Sequence, residues 1–363
     1  MFRREFVKLS LVSTFLCYFG SKRIFAATKQ IKEKNVTKSE IIKILGYAIF
    51  APSSHNTQPW KVKIKDTKLE IYGDYKRVLK EVDSNNREWF LSISAFLFTI
   101  KYIANSLGYS INESYFLNNL EPNKPIFELD FLDREKSINK SKLNLVKLRS
   151  TSRFIYDKQN LTLDEINSIK RIDANCIYYF EKKSKQAETI AQYHINAFEQ
   201  QSNIKKKQYE LSCWLRFKKE DKEIKGDGIF PEMLALDKLA SFFWYSFFNK
   251  KSVMSKSFIK KGIKAAKQQI DNCSGFIVIT SIDSSNESLV KVGQLYQKVL
   301  LHLTQLNIKN HTISQILEEE PWQNTISKDL ELSDSIQFII RVGKSERKRY
   351  GNAIRRGIKD ILI

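Results

Sequence analysis

The segment from 51 to 60 reads Ala51-Pro-Ser-Ser-His-Asn-Thr-Gln-Pro-Trp60 and is the most informative part of the chain. Before it, residues 37–50 carry apolar side chains at helical spacing, with Ser39 as the predicted N-cap. After it, residues 60–64 and 69–72 alternate in polarity and predict a β-hairpin. The segment is therefore a tight loop between a helix and a hairpin. Its hydroxyl and amide groups can present several hydrogen-bond donors to a planar polar ring.

The rest of the chain mixes helical and strand patterns without strict alternation. Helices are predicted at 89–107, 164–172, 187–214 and 289–306, and strands at 127–132, 177–182, 275–282 and 338–342. This mixture favours an α+β fold over a doubly wound parallel sheet. Residues 133–147 are polar, rich in Lys and Asn, and form the predicted linker.

Residues 239–248 form a strongly aromatic stretch that is open to two interpretations. The first, which we favour, is a helix buried in the core. The second is a lid that covers a flat aromatic ligand. At ten residues, the stretch is too short to span a membrane.

Composition and charge exclude several classes of protein. The 363 residues include only four cysteines, widely spaced and with no CxxC pair, which argues against a zinc ribbon or a ferredoxin. The net charge of +21 is compatible with a polyanionic partner, either nucleic acid or an anionic membrane surface. However, the basic residues are dispersed, apart from short runs such as 205–207, and Lys, Asn and Ile are enriched together. This pattern favours a compositional bias over a nucleic-acid partner.

Residues 1–27 have the features of an export signal. A cationic start, an apolar segment at 9–20 and the small pair Ala26-Ala27 predict a cleaved secretory peptide. The residues Arg3-Arg4-x-Phe6-x-Lys8 resemble the twin-arginine motif, although Phe2 stands where Ser or Thr is usual, and a general secretory signal is the alternative. We expect a periplasmic or other extracytoplasmic bacterial protein, with the twin-arginine export machinery as a partner and no membrane span after cleavage.

Two further segments carry arginines that can converge on one anion. They are Arg149-Ser-Thr-Ser-Arg153, and Arg341-Val-Gly343 followed by Arg355-Arg356. A phosphate prefers guanidinium and hydroxyl donors. The candidate phosphate ligands are Arg149, Ser150, Thr151, Arg153 and Arg356.

Taken together, these segments resemble the flavin-dependent nitroreductase family. The family's Pro-Ser-Ser-x-Asn-x-Gln-Pro-Trp loop is complete from Pro52 to Trp60. Arg149-Ser-Thr-Ser-Arg153 resembles its N-terminal phosphate motif, and Gly343 followed by Arg355-Arg356 resembles its C-terminal phosphate clamp. The resemblance covers roughly residues 37–363 and is closest to the internally duplicated, single-chain branch.

That branch implies an α+β, nitroreductase-like fold with two tandem halves that form an intrachain pseudo-dimer. The first half, 37–135, keeps the flavin-facing loop 52–60 but has no Arg-x-Ser motif before it. The second half, 145–363, keeps the arginine motif but has no such loop after it. The two losses are complementary, so they imply one composite flavin site in each chain.

The resemblance also implies roles for individual residues in binding FMN. Ser53, Ser54, Asn56 and Gln58 would face the isoalloxazine edge and the ribityl chain. Arg149, Ser150, Thr151 and Arg153 would hold the phosphate together with Arg356, and Arg355 would assist. The segment Ile313-Ser-Gln315 would pass near the flavin N5. No protein side chain is assigned as catalytic because the flavin N5 carries the chemistry, and no metal is expected.

The implied activity is a ping-pong hydride transfer. NADPH, NADH or another donor would reduce the flavin at N5, and a flat acceptor such as a nitroaromatic or a quinone would reoxidise it. The alternative is an FMN-binding protein that sequesters flavin without turnover, with 239–248 or 218–231 as its lid. A more remote alternative is a basic nucleic-acid-binding protein.

Overall fold

The computed structural model describes residues 36–118, 120–134, 138–347 and 353–363. The predicted export signal at 1–27 lies outside the described residues. Within the described ranges, every helix is too short or too polar to cross a membrane.

The first half is built around a four-stranded antiparallel sheet. Its elements are α1 (Lys38–Ala48), β1 (Trp60–Lys65), β2 (Lys68–Gly73), α2 (Arg87–Ser106), β3 (Tyr109–Tyr115) and β4 (Phe127–Arg134). The strand order is β1-β2-β4-β3. The predicted hairpin is confirmed: β1 and β2 pair with Trp60 opposite Gly73.

The N-cap of α1 was predicted wrongly. Thr37, and not Ser39, caps the helix, because its side chain accepts a hydrogen bond from the backbone N–H of Glu40 at 3.3 Å. The Glu40 carboxylate in turn accepts the Thr37 backbone N–H at 2.9 Å. This reciprocal capping box satisfies two groups at once, whereas Ser39 lies inside the first turn.

The second half repeats the plan of the first, with additions. Its elements are α3 (Lys140–Leu148), α4 (Leu163–Lys170), β5 (Ile177–Glu181), α5 (Lys185–Asn203), α6 (Lys205–Trp214), α7 (Asp221–Ile224), α8 (Lys238–Phe247), α9 (Lys250–Val253), α10 (Lys256–Asp271), β6 (Gly275–Ser281), α11 (Asn286–Gln305), β7 (Lys309–Thr312), α12 (Gln315–Glu318), α13 (Trp322–Asp329) and β8 (Ser335–Gly343). The strand order β5-β6-β8-β7 corresponds to that of the first sheet. We call residues 182–274, between β5 and β6, the insertion.

The element order confirms the α+β class, and the repeated plan is consistent with two tandem halves. Each half has a helix, two antiparallel strands, a long helix and two further strands, in the same chain order and the same sheet order. The predicted linker at 133–147 is wrong in part, because α3 occupies its second portion. Leu143 and Val146 of α3 are buried three residues apart, which is sufficient to hold a short helix whose other residues are mostly polar and exposed.

The two halves share one hydrophobic core and exchange backbone contacts. The core cluster contains residues of α2 and α11 together with strand residues of both sheets. Across the halves, Gln297 of α11 donates through Nε2 to the Thr99 hydroxyl of α2 at 3.1 Å. At the end of the chain, Val62 of β1 donates its N–H to Ile361 at 2.8 Å and accepts the N–H of Ile363 at 3.0 Å. The C-terminus of the second half therefore extends the sheet of the first.

The favoured interpretation of the aromatic stretch as a core helix is wrong. A helix forms there, α8, but among its members only Ser241 and Trp244 are buried. Four large apolar side chains remain exposed: Leu239, Phe242, Phe243 and Phe247. The cause is the position of α8 on the insertion, where Trp244 belongs to a small separate cluster.

A prediction concerns the crossing of α2 and α11. A Cβ atom at Gly293 would lie 2.6 Å from the Ser94 Cβ and 2.8 Å from the Leu91 carbonyl oxygen. Gly293→Ala should therefore force the helices apart and lower the free energy of unfolding by about 1–3 kcal/mol. Gly46→Ala is the matched control in α1, where nothing lies within 4 Å, and it should gain about 0.5–1 kcal/mol. Equal urea midpoints for the two variants would contradict the close crossing.

Candidate functional site

The loop 52–60 adopts a backbone that few residues tolerate. His55, Asn56 and Gln58 have φ angles of 49°, 55° and 50°. Each such position costs on the order of 1–3 kcal/mol in a residue other than glycine, and such strain is concentrated at functional sites. The loop is closed internally by the Ser53 hydroxyl, which accepts the Gln58 backbone N–H at 3.0 Å.

The amide side chains of this loop bind protein backbone. Asn56 donates through Nδ2 to the Gly228 carbonyl oxygen at 3.0 Å, and Gln58 donates through Nε2 to that of Gly226 at 2.8 Å. The Gln58 Oε1 accepts the backbone N–H of Arg356 at 2.9 Å. Their predicted contacts with a flavin stay a prediction. In this structure the two amides hold the insertion and the C-terminal segment against the loop.

The C-terminal pair Arg355 and Arg356 also binds backbone carbonyl oxygens at and near the loop. Arg356 donates through Nη1 to the Gln58 carbonyl oxygen at 3.1 Å and also contacts the Asp360 carbonyl oxygen. Arg355 donates to the Ile354 carbonyl oxygen at 2.8 Å and to that of Phe50 at 3.4 Å. The predicted phosphate contacts of both arginines stay predictions.

A buried ionic network, not found from the sequence, fixes the part of the insertion that these groups contact. Asp227 accepts from Arg216 Nη2 at 2.6 Å and from Arg77 Nη1 at 2.7 Å. Arg77 also donates to the carbonyl oxygen of Thr57, inside the loop, at 2.9 Å. Gly226 and Gly228 both have positive φ, and a Cβ at Gly226 would lie 2.4 Å from the Arg355 carbonyl oxygen. The Gly-Asp-Gly sequence therefore allows close approach to the loop while anchoring it through Asp227.

On its other side, the loop faces acidic and basic groups. The Ser54 hydroxyl donates to the Glu88 carboxylate, and the Ser54 backbone N–H reaches the Ser92 hydroxyl at 3.4 Å. Burial lowers the pKa of His55 to about 4; nearby Glu88 opposes this shift, and Arg153 adds to it. His55 of the first half thus lies close to an arginine of the second.

The residues of the arginine motif differ in their burial and contacts, and their predicted role in binding phosphate stays a prediction. Arg149 is buried at the end of α3, and Arg153 donates through Nη1 to the Met233 carbonyl oxygen at 3.1 Å. Burial lowers the pKa of Arg153, with neighbouring Arg341 adding to the effect. No carboxylate among the described residues forms an ion pair with Arg153. Thr151 is exposed and Ser150 half-buried, so the structure does not bring the Thr151 hydroxyl into the buried site.

Arg341 holds the backbone of the arginine motif in place. Its side chain is fully buried, and Nη2 donates to the carbonyl oxygens of Ser152 at 3.1 Å and Phe154 at 3.0 Å. The guanidinium lies 3.9 Å from the centroid of the Tyr156 ring. Arg341 therefore holds the backbone on both sides of Arg153, which fixes where that side chain begins.

Glu88 and Glu318 form a buried carboxyl pair that the sequence did not reveal. The pKa of Glu318 is raised well above its usual range by burial and by Glu88, to which it is hydrogen-bonded. Gln201 donates through Nε2 to Glu318 Oε2 at 2.6 Å. A neighbouring like charge disfavours ionisation, so Glu318 keeps its proton to a higher pH than an exposed glutamate does. The predicted segment Ile313-Ser-Gln315 leads directly into α12, which carries Glu318.

Tyr296 of α11 interacts with charged residues of both halves. Its hydroxyl is 2.7 Å from the Thr312 Oγ1, and its ring stacks on Phe338 at 3.8 Å. Burial raises its pKa; Arg149 and Arg153 oppose this shift, and Glu88 adds to it. The first half's His55 and Glu88 and the second half's arginines therefore meet around one tyrosine. Side chains from both halves are therefore brought together here, and we refer to them as the candidate site.

Comparisons with known proteins give a short match and several weak ones. No family model matches the chain. Two curated proteins from two strains of Mycobacterium tuberculosis, whose names assign them provisionally as NAD(P)H nitroreductases, are each 34% identical over 73 residues. The match covers 20% of this chain and spans about a fifth (21%) of the relatives' own length.

Three solved structures overlap more of the chain at low similarity. The FMN-dependent nitroreductase NfnB from Mycobacterium smegmatis, in complex with NADPH, has a TM-score of 0.40 and 9% identity over 61% of this chain and 96% of its own. A Bacteroides fragilis nitroreductase with bound FMN gives 0.34 and 11% over 58% and 91%. A Bacillus cereus nitroreductase-like protein gives 0.35 and 11% over 62% and 95%. Similarities this low establish neither the fold nor the activity of this chain.

A prediction follows from the buried histidines. Burial, together with Arg341, lowers the pKa of His194 to about 3, and its Nδ1 has no hydrogen-bond partner among the described residues. A depressed pKa contributes stability that is present above pH 6.5 and is lost as the pH falls toward 3. We expect His194 to account for on the order of 3 kcal/mol of stability lost between pH 6.5 and 4, at about 1.4 kcal/mol per pKa unit.

The test compares urea unfolding at both pH values for the wild type and His194→Phe. The variant keeps a ring beside Phe198 and should show a much weaker pH dependence. The control is His302→Phe, since His302 is half-buried and its Nε2 lies 3.0 Å from the Ser168 hydroxyl. Parallel pH curves for wild type and His194→Phe would contradict the assignment.

Proposed function

We propose that this chain is an FMN-dependent oxidoreductase of nitroreductase type, with one flavin site formed between its two internally duplicated halves. The observation that carries the proposal is Arg153, whose half-buried side chain lies near His55 and Arg341 without a carboxylate partner among the described residues. A partly buried guanidinium without a counter-charge is unfavourable, and an anion bound beside it would supply that charge. A phosphate monoester such as that of FMN fits this requirement.

The residues around Arg153 fit the rest of the cofactor in part. Arg149 and Arg153 would hold the phosphate. Ser53, Ser54 and the strained backbone at His55 would face the polar edge of the flavin ring. His55 Nδ1 has no hydrogen-bond partner among the described residues, which leaves it available to a ligand. Asn56 and Gln58 would contribute by holding this backbone in place, because their amides already bind the insertion.

The chemistry divides between the cofactor and the chain. When bound, FMN supplies two-electron transfer from NADPH or NADH to a flat acceptor such as a nitroaromatic or a quinone. The arginines orient the cofactor, and the low pKa of His55 keeps its imidazole neutral at pH 7. The raised pKa of Glu318 favours a proton on its carboxyl group, which would supply that proton as the acceptor is reduced.

A second candidate is supported by the insertion. The carbonyl oxygen of Met233 accepts a hydrogen bond from Arg153. Residues 226–228 are bound to the loop through Asn56 and Gln58. A site covered in this way would suit a protein that sequesters FMN without turnover. Under both readings we propose export of the folded, loaded protein. That part rests on residues 1–27, outside the described residues.

One measurement separates these functions. The visible spectrum of the purified mature protein is recorded anaerobically before and after NADPH, and then after a nitroaromatic. Flavin absorption that bleaches and returns supports the oxidoreductase. A yellow protein that neither NADPH nor NADH bleaches supports the sequestering function. A colourless protein that cannot be loaded with FMN overturns both.

A prediction separates the two groups of arginines. Arg153→Gln should weaken FMN binding roughly tenfold or more, since one charge-assisted hydrogen bond is worth about 1.5–3 kcal/mol, while the apo protein stays as stable as the wild type. Arg356→Gln should instead lower the stability, because its guanidinium binds the backbone at Gln58 and Asp360. Exposed Arg171→Gln is the control. Fluorescence titration with FMN and urea unfolding would measure both effects; unchanged FMN affinity in Arg153→Gln would contradict the phosphate assignment.

A further inference from the structure

Helix α8 presents an apolar face to the outside of the molecule. Leu239, Phe243 and Phe247 recur every four residues and form one stripe, with exposed fractions of 66%, 47% and 68%. Phe242, 62% exposed, lies beside the stripe. The exposed rings also contact one another, with centroids 5.8 Å apart for Phe242 and Phe243 and 6.0 Å for Phe243 and Phe247. A contiguous exposed aromatic cluster of this kind marks an interaction site.

The opposite face of α8 fixes the orientation of this cluster. Trp244 is buried and donates its indole N–H to the Arg216 carbonyl oxygen at 2.9 Å. Its ring stacks on Phe217 at 5.5 Å and on Phe248 at 5.0 Å. Rotating α8 to bury the exposed rings would break these contacts. The cluster therefore stays outside, which argues against α8 as a lid that folds inward over a ligand.

The surroundings of α8 are strongly basic. Residues 238–267 contain eight lysines and no acidic residue, so this short segment carries eight of the 21 net positive charges. Lys256, Lys260, Lys261 and Lys264 of α10 are all exposed. The first turn of α10 is packed against the base of α8, since the Phe258 and Trp244 rings lie 6.1 Å apart. Lys238, at the start of α8, and Lys250 and Lys251, just after its end, are also exposed, so positive charge flanks the helix that carries the aromatic cluster. This segment is a local exception to the expected dispersal of the basic residues.

We propose that α8 and α10 dock this protein on the surface of an anionic lipid bilayer. Aromatic side chains on one face of a helix enter the boundary between headgroups and acyl chains, and adjacent lysines bind anionic headgroups. A bilayer uses both features of this surface at once. A second copy of the chain would bring one lysine-rich segment against another and be repelled, and a nucleic acid would leave the exposed Leu239 and phenylalanines without an apolar partner.

The test is vesicle flotation with the purified protein. We expect binding to phosphatidylcholine vesicles that contain about 30% phosphatidylglycerol, and at least tenfold weaker binding to phosphatidylcholine alone. Binding should weaken between roughly 0.05 M and 0.5 M NaCl, because salt screens the lysines. Equal binding to both vesicles, or to neither, would overturn the proposal.

Two pairs of variants assign the binding to this surface. Phe242→Ser with Phe247→Ser should reduce vesicle binding at least tenfold, whereas Leu163→Ser with Ile282→Ser, at other exposed apolar positions, should leave it unchanged. Lys260→Glu with Lys264→Glu should act like the first pair. Its control is Lys291→Glu with Lys298→Glu, on the exposed side of α11.

Other occupants of the surface give different results. A dimer that the phenylalanine pair dissolves in size-exclusion chromatography, without vesicle binding, would show a second copy as the occupant and overturn the proposal. Salt-sensitive binding to DNA but not to vesicles would do the same. The flavin content of all variants should equal that of the wild type, because none of the substituted residues lies at the candidate site. A failure here therefore leaves the proposed oxidoreductase function standing.

Discussion

The close crossing of α2 and α11 determines the geometry of the candidate site. Gly293 has no side chain to separate the helices, so α11 approaches Ser94 and the backbone of Leu91 directly. Glu88 lies one turn before Leu91 on α2, and Tyr296 lies one turn after Gly293 on α11. Glu88 of the first half and Tyr296 of the second are therefore held on two closely packed helices, and not on loops.

The loop 52–60 is held in place by hydrogen bonds from neighbouring segments of the chain. Its three positive φ angles are unfavourable in isolation. They persist because Asn56 and Gln58 bind carbonyl oxygens of the second half, and because Arg77 of the first half binds the Thr57 carbonyl oxygen. Most of these bonds join side chains to backbone carbonyl oxygens, which fixes position without adding charge to the site. The positive charge of Arg153 is left unpaired among the described residues. The protein thus separates the groups that hold the loop from the groups that face a ligand.

The sequence predicted those parts of the site that are local. The loop, the hairpin and the arginine motif each lie within a few consecutive residues, so turn chemistry and alternation reveal them. Glu88, Glu318 and Asp227 belong to no recognisable motif in the sequence, and only tertiary packing brings Glu88 to Ser54 and Glu318, and Asp227 to Arg77. The aromatic stretch was predicted wrongly for a related reason: ten apolar-rich residues predict a helix, but exposure depends on what packs against it.

The insertion connects the two surfaces on which the proposals depend. Its inner edge contacts the site at Gly226, Gly228 and Met233, and its outer face is α8, whose N-cap Asp237 comes only four residues after Met233. Glu232 ties this edge to α8, since its carboxylate accepts from the Tyr245 hydroxyl at 2.9 Å and pairs with Lys222 at 2.6 Å. One short, cross-linked segment therefore joins the carbonyl oxygen that Arg153 contacts to the helix that carries the aromatic surface.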